Sequence, residues 1–216
     1  MKMKKHAAGV LIGAALSTLS YQSYADVILH AFNWTYDDVA AKAQEIADLG
    51  YTKVLVSPAY KSTGDQWWAR YQPQDYRVID NPLGDTADFQ AMVNALNAKG
   101  VETYADIVFN HMANEAWKRS DLNYPGSEVL QQYSSNQGYY NGITLFGDVS
   151  SGLFGGGDFH GTYDQGGPKC ISNYSDVGDV QYNRLCGAAP DPGLPDLDPN
   201  NWVVAQQKAY LQALKD

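Results

Sequence analysis

An α/β fold with a parallel sheet is predicted for this 216-residue chain, and three observations predict it. Short apolar segments rich in β-branched residues alternate with amphipathic stretches of helical period. Each of the first two helical stretches stops at a glycine. The third apolar segment, Val101 to Phe109, leads into an acid, an amide and an imidazole within the six residues Asp106-Ile107-Val108-Phe109-Asn110-His111. Strand, helix, strand, helix, strand reads as successive βα units. In βα-repeat proteins the chemistry gathers at the C-terminal ends of the strands.

Residues 1–25 precede the fold. Lys2, Lys4, Lys5 and His6 make a basic start, Ala7 to Leu16 an apolar run, and Ser23-Tyr24-Ala25 a small-x-small end. That is the layout of a cleaved secretory signal of bacterial type. The apolar run is well short of the roughly 20 residues that span a bilayer. The expected destination is the periplasm or the extracellular space.

Val27 to Phe32 is the first strand. The helix expected over Thr35 to Leu49 has Thr35 and Asp38 at capping-box spacing, Val39, Ala43, Ile46 and Ala47 on one face, and Gly50 at its stop. A second strand, Lys53 to Ser57, ends at Pro58, and a loop of functional length follows. The second helix, Asp85 to Lys99, carries Phe89, Val93 and Leu96 on one face and closes at Gly100. After the third strand the pattern lapses. Met112 to Pro195 holds 14 of the 20 glycines and reads as a loop-rich subdomain. A last helix resumes from Asp198, with Val203, Tyr210, Leu211 and Leu214 at helical spacing.

Charge and cysteines narrow the function. The net charge is −9. Loss of residues 1–25, which carry three lysines and no acids, takes it to −12. An acidic surface without a basic stripe argues against nucleic acid and anionic membrane as partners. It suits a neutral substrate and a hard cation. Cys170 and Cys186 are the only cysteines. Behind an export signal their default reading is a disulfide, contributing about 3 kcal/mol in chain-entropy terms. A redox or metal pair would need Cys-x-x-Cys or a histidine at zinc-site spacing.

Three constellations accompany the Asp106–His111 run: Gln66-Trp67-Trp68-Ala69-Arg70-Tyr71-Gln72-Pro73, Arg184-Leu185-Cys186, and Leu194-Pro195-Asp196-Leu197-Asp198. Aromatic faces can stack on the C–H faces of sugar rings while amides bond hydroxyls, as pocket sites do generally. Each also has a plain structural reading. Asp106 and His111 can be a buried carboxylate and a core histidine, Trp67 and Trp68 loop core, and Asp198 before Pro199 a helix N-cap.

Together, and in this order, the motifs resemble the α-amylases, the large family of glycoside hydrolases acting on α-glucans. Phe32-Asn33-Trp34 and Arg184-Leu185-Cys186 look closest to the branch that includes the animal-type enzymes. The resemblance implies the opening part, about three βα units, of a (β/α)8 barrel. It implies barrel residues 26–111, an inserted domain over 112–195 and a return to the barrel over 196–216. Asp106 and His111 would bond sugar hydroxyls beside the scissile bond, Tyr71 would stack under that glucose with Gln72 beside it, and Trp67 and Trp68 would line adjoining subsites. Asn110, Asp196 and the backbone carbonyl of Arg184 would hold a structural Ca2+, an ion that prefers hard oxygens; the family's remaining backbone ligand follows the fourth strand, so the site is expected to be incomplete in this chain. His30 and His160 match no motif and are left as structural.

The family's retaining mechanism uses two carboxyl groups about 5–5.5 Å apart, on later barrel strands that this chain does not contain. Glu45, Glu102, Glu115 and Glu128 do not substitute for them. The expected parent is therefore a secreted, monomeric, calcium-binding enzyme cleaving internal α-1,4 bonds of starch or glycogen. The chain alone is expected to be inactive, with unpaired strand edges that favour aggregation. A glucan transferase or maltooligosaccharide-forming amylase would share these motifs, and a non-catalytic α-glucan-binding protein would retain the aromatic groove.

Overall fold

The computed structural model describes residues 27–116, 118, 122–160 and 169–215. The export-signal segment 1–25 lies outside them.

Strands β1 (Ile28–Ala31), β2 (Lys53–Val56) and β5 (Glu102–Ala105) form one parallel sheet in the order β1-β2-β5. The register is direct, with Ala31 opposite Val56 and Val56 opposite Ala105. Helices α1 (Tyr36–Ala41), α2 (Ala43–Asp48) and α3 (Thr86–Asn97) connect them, and a two-residue hairpin, β3 (Asp80–Asn81) and β4 (Gly84–Asp85), precedes α3. A parallel pair needs a crossover of this kind, because a tight turn cannot reverse the chain twice.

Period-2 alternation decides which sheet face is buried. Ala31, Val54 and Val56 point toward the helices and pack with Val39, Ile46, Phe89, Met92 and Leu96. The opposite face carries Ile28, His30, Leu55 and Tyr104 and is open, with Ile28 and Tyr104 about half exposed (52% and 44%). Among the described residues β1 and β5 are both edge strands and the sheet does not close.

The helix caps follow the sequence. Thr35 Oγ1 accepts from Asp38 N–H at 3.1 Å, and Asp85 and Asp88 form a reciprocal capping box at α3. Gly50 and Gly100 sit at φ +85° and +72° just past the helices they end, a conformation that is strained for other residues. The single helix expected over 35–49 is interrupted at Lys42, whose φ of −95° and ψ of 3° lie outside the helical well.

Two further expectations need correction, the end of the third strand and the cap of the last helix. The third strand ends at Ala105 rather than Phe109. Asp106 N–H donates to Val56 O, and beyond it the carbonyls of Val108 and Phe109 accept from Tyr76 Oη and Gln207 Nε2 instead of a neighbouring strand. The glycine-rich segment contains helices α4 (Ser127–Ser135), α5 (Gln137–Ile143) and α6 (Val177–Tyr182). Val129, Tyr133, Tyr140 and Ile143 pack with Val78 and Val149 into a core of their own. The last helix, α7 (Asn201–Lys215), is capped by Asn200, whose Oδ1 accepts from the N–H groups of Trp202 and Val203 at 2.9 Å. Asp198 is not its cap.

A second core joins the insert to the sheet through Tyr60, Tyr76, Met112, Tyr124, Phe154, Leu197 and Tyr210. Tyr210 Oη donates to Ala59 O at 2.8 Å and so ties α7 to the end of β2.

Candidate functional site

The ends of β2 and β5 point toward one surface, and the loop after β2 folds over it. A 3-10 turn, Trp67–Tyr71, occupies that loop. Its anchor is Arg70, almost wholly buried, whose Nη2 donates to Gly64 O at 2.6 Å while Arg70 O accepts from Tyr60 Oη at 2.6 Å. With Arg70 facing inward, Trp67 and Trp68 face outward, 55% and 48% exposed. Large aromatics left in water beside a buried arginine are available to a ligand. Phe32, at the end of β1, lies against Trp67 with ring centroids 5.8 Å apart, and Trp67 meets Tyr71 edge-on at 6.5 Å.

Tyr71 brings the turn to the sheet. Its hydroxyl donates to Asp106 Oδ2 at 3.0 Å, and its carbonyl accepts from His111 Nε2 at 2.9 Å. A carbonyl can only accept, so Nε2 carries the hydrogen. Burial, reinforced by the bond to Asp106, pushes the Tyr71 hydroxyl up to about 12, so it remains a donor at neutral pH. Burial also holds His111 below its ordinary value, against the opposing effects of Tyr71 O and Asp196. Gln72 Oε1 accepts from Asn114 N–H at 3.0 Å, and a cavity of about 270 Å³ opens beside Trp68, Gln72 and Gln74. Trp67, Trp68, Tyr71, Gln72, Asp106 and His111 thus share one surface region.

Immediately beside it, segments 110–112, 159–160 and 195–198 run side by side. Met112 N–H donates to Pro195 O, Leu197 N–H to Asn110 O, and His160 N–H to Asp196 O. This pairing brings Asn110 Nδ2 to Asp196 Oδ1 at 2.7 Å. The other carboxylate oxygen, Oδ2, lies 2.8 Å from His160 Nδ1. Burial raises Asp196 above the usual carboxylate range, and His160, His111 and Asn110 pull it back. Arg184 is buried in the same neighbourhood, but its carbonyl accepts from Ile171 N–H at 2.9 Å and its Nη1 donates to Pro192 O at 3.3 Å. Asn110 and Asp196 are in contact, whereas the Arg184 carbonyl is directed at Ile171.

The donor set can be tested against a hard cation. A half-turn of the Asn110 amide exchanges its NH2 for its oxygen, placing two oxygens at hydrogen-bond separation. Such a pair repels unless a cation lies between them. Asn110 and Asp196 fit that role, whereas Arg184 O is engaged by Ile171 N–H. No group of three or more His, Cys, Asp or Glu side chains suited to a metal occurs among the described residues. A cation here would therefore rest on one carboxylate, an amide and backbone oxygens.

Cys170 and Cys186 form the disulfide, with Cα atoms 5.6 Å apart. It spans the segment carrying α6 and Arg184. His160, read from the sequence as structural, lies 2.8 Å from Asp196 Oδ2 through Nδ1. No spacing signal links it to Asp196, because the two meet only through backbone pairing of distant segments.

Comparison with known proteins follows the same line. The profile described as the α-amylase catalytic domain matches residues 35–155. An α-amylase of Aeromonas hydrophila is 56% identical over 98% of this chain and 44% of its own length. One from the beetle Phaedon cochleariae is 32% identical over 88% of this chain and 34% of its own. The chain thus spans less than half of the relatives it matches. The crystal structure of α-amylase I from Eisenia fetida superposes with a TM-score of 0.60 at 29% identity, over 88% of this chain and 34% of that one. A mutant of that enzyme, solved with maltohexaose, matches equally well at 28% identity. The three-stranded parallel sheet is the opening portion of the barrel, and the chain belongs to the α-amylase family of glycoside hydrolases.

Proposed function

We propose that this chain is the glucan-binding opening portion of a secreted α-amylase that hydrolyses internal α-1,4 bonds of starch or glycogen with retention. The observation that carries the reading is the Tyr71–Asp106–His111 cluster beside exposed Trp67 and Trp68. An aromatic platform next to a carboxylate and an imidazole suits a ring with apolar faces and hydroxyl edges. Tyr71 stacks on a glucose, Asp106 and His111 bond its hydroxyls, and Gln72, Trp67 and Trp68 line the adjoining positions. The maltohexaose complex of the Eisenia mutant supports a maltooligosaccharide as ligand.

Asn110, Asp196 and Arg184 O would hold Ca2+, which when bound would supply a fixed positive charge pinning the inserted segment 112–195 to the barrel residues 26–111. The chain itself assigns no residue to bond cleavage. Glu115 is bonded to Gln74, and Glu128 lies in the first turn of α4. Residues 1–25 are proposed to direct export, and the disulfide suits an oxidising compartment.

Titrating the chain with maltohexaose while following tryptophan fluorescence tests the binding reading. Saturable quenching or enhancement, lost in Trp67→Ala/Trp68→Ala, is expected. The same preparation is expected to release no reducing sugar from starch above background. Absence of any saturable signal with natively oxidised chain would sink the glucan reading.

A further inference from the structure

His160 lies outside every motif, yet it is clamped from several sides. Its backbone N–H donates to Asp196 O at 2.9 Å. Its Nδ1 lies 2.8 Å from Asp196 Oδ2, its Nε2 lies 3.5 Å from Asp198 Oδ1, and the Tyr182 ring meets it edge-on at 5.1 Å. Its side chain is only 10% exposed. Asp196 is therefore gripped at both oxygens, Oδ1 by Asn110 and Oδ2 by His160.

We infer that His160 is a positioning residue for a divalent-cation site at Asp196 and Asn110, a statement that rests on the cation reading proposed above. A carboxylate on a single rotatable stem swings unless something holds it. A donor on Oδ2 fixes the plane of the group and leaves Oδ1 directed at the Asn110 amide. Hydrogen bonds to a ligating carboxylate commonly change metal affinity about 10–100-fold when removed. The clamp also has a direction. Residues 159–160 pair with 196–197, so the imidazole reaches Asp196 from the insert side while Asn110 reaches it from the end of the sheet. A cation seated there would be held by the sheet side and steadied by the insert side.

The chemistry separates two substitutions of similar polarity. Asparagine places its NH2 near the position of His Nδ1, within reach of Asp196 Oδ2. Glutamine places its NH2 near the position of Nε2, facing Asp198. The experiment is a Ca2+ titration of the full chain by calorimetry, with terbium luminescence sensitised by the aromatic residues as a second readout. It covers wild type, His160→Asn, His160→Gln and His160→Phe, each verified for an intact disulfide and wild-type circular dichroism. The expected result is near wild-type Ca2+ affinity for His160→Asn and a loss of about 10–100-fold for His160→Gln and His160→Phe. Equal affinity across the three variants and wild type would overturn the role of His160 while leaving the cation site standing. Failure of the wild type itself to take up Ca2+ or terbium would overturn the cation reading, and this inference with it. Should His160→Phe not fold, the Asn/Gln pair decides.

Discussion

The hydroxyl of Tyr71 and the carboxylate of Asp106 meet at 3.0 Å, joining the loop after β2 to the residue that follows β5. The two lie 35 positions apart in the chain, so the bond records the arrangement of the whole sheet edge. Tyr71→Phe keeps the ring and removes the donor. It is expected to lower unfolding free energy by about 1 kcal/mol and to change maltohexaose affinity less than Tyr71→Ala does. The alanine change removes the platform and is expected to weaken binding about two- to tenfold. Urea unfolding and fluorescence titration of both variants check this.

Alkaline pH is predicted to destabilise the protein. Burial pushes Tyr36, Tyr71 and Tyr140 up to about 12, raises Tyr60, Tyr76 and Tyr133 further, and holds Tyr210 well above its ordinary value. A group whose folded pKa exceeds its unfolded value, about 10 for tyrosine, keeps its proton longer in the native state. Its contribution is complete below pH 10 and is lost as pH climbs through the folded value. The thermal midpoint is expected to fall from about pH 10 upward, with tyrosinate absorbance appearing together with unfolding. Tyrosine ionisation near its ordinary value in the folded state would contradict this.

Arg77 and Asp75 form a buried ion pair that fastens the insert. Arg77 Nε and Nη2 donate to the two Asp75 oxygens at 3.0 and 2.9 Å, Nη2 also donates to Ser151 O at 2.9 Å, and Tyr133 Oη donates to Asp75 Oδ2 at 3.2 Å. Arg77→Ala leaves a carboxylate buried without its cation. A loss of about 3–5 kcal/mol is expected, read by denaturant unfolding or by failure to accumulate soluble chain. Arg77→Lys is expected to recover only part of it, because a single ammonium cannot reproduce the fork.

Gly193 has φ +80°, and a methyl group placed there would run into Cys186 Sγ and approach Arg184 Cβ to 3.0 Å. Gly193→Ala is therefore strained both in its backbone and in its contacts. The expected result is a rise in free thiol at Cys170 and Cys186, measured by alkylation and mass spectrometry. Gly138→Ala, where open space surrounds the position, is expected to oxidise normally.

Local pattern decided much of this fold. The alternation in β2, the caps at Thr35 and Asp85 and the stops at Gly50 and Gly100 are short-range physics, written within a few residues and legible there. The motif order from Trp67 to Asp198 likewise pointed to the family. The sequence also suggested the Cys170–Cys186 bond, since these are its only two cysteines.

Other features depended on partners far along the chain. Gly138 and Gly142 dilute the period of α5, and the apolar faces of α4 and α5 become meaningful only against Val78 and Val149. The third strand stops at Ala105, and the carbonyls of Val108 and Phe109 go to side chains of Tyr76 and Gln207, a pairing no local propensity encodes. Asn200 rather than Asp198 caps α7, leaving Asp198 beside His160. His160 itself meets Asp196 only because residues 159–160 lie against 196–197. Residue types and short spacings determine which elements form and which chemistry is on offer. Which groups meet at hydrogen-bond distance is set by packing, because burial forces each polar atom to find whichever partner the tertiary arrangement brings within reach.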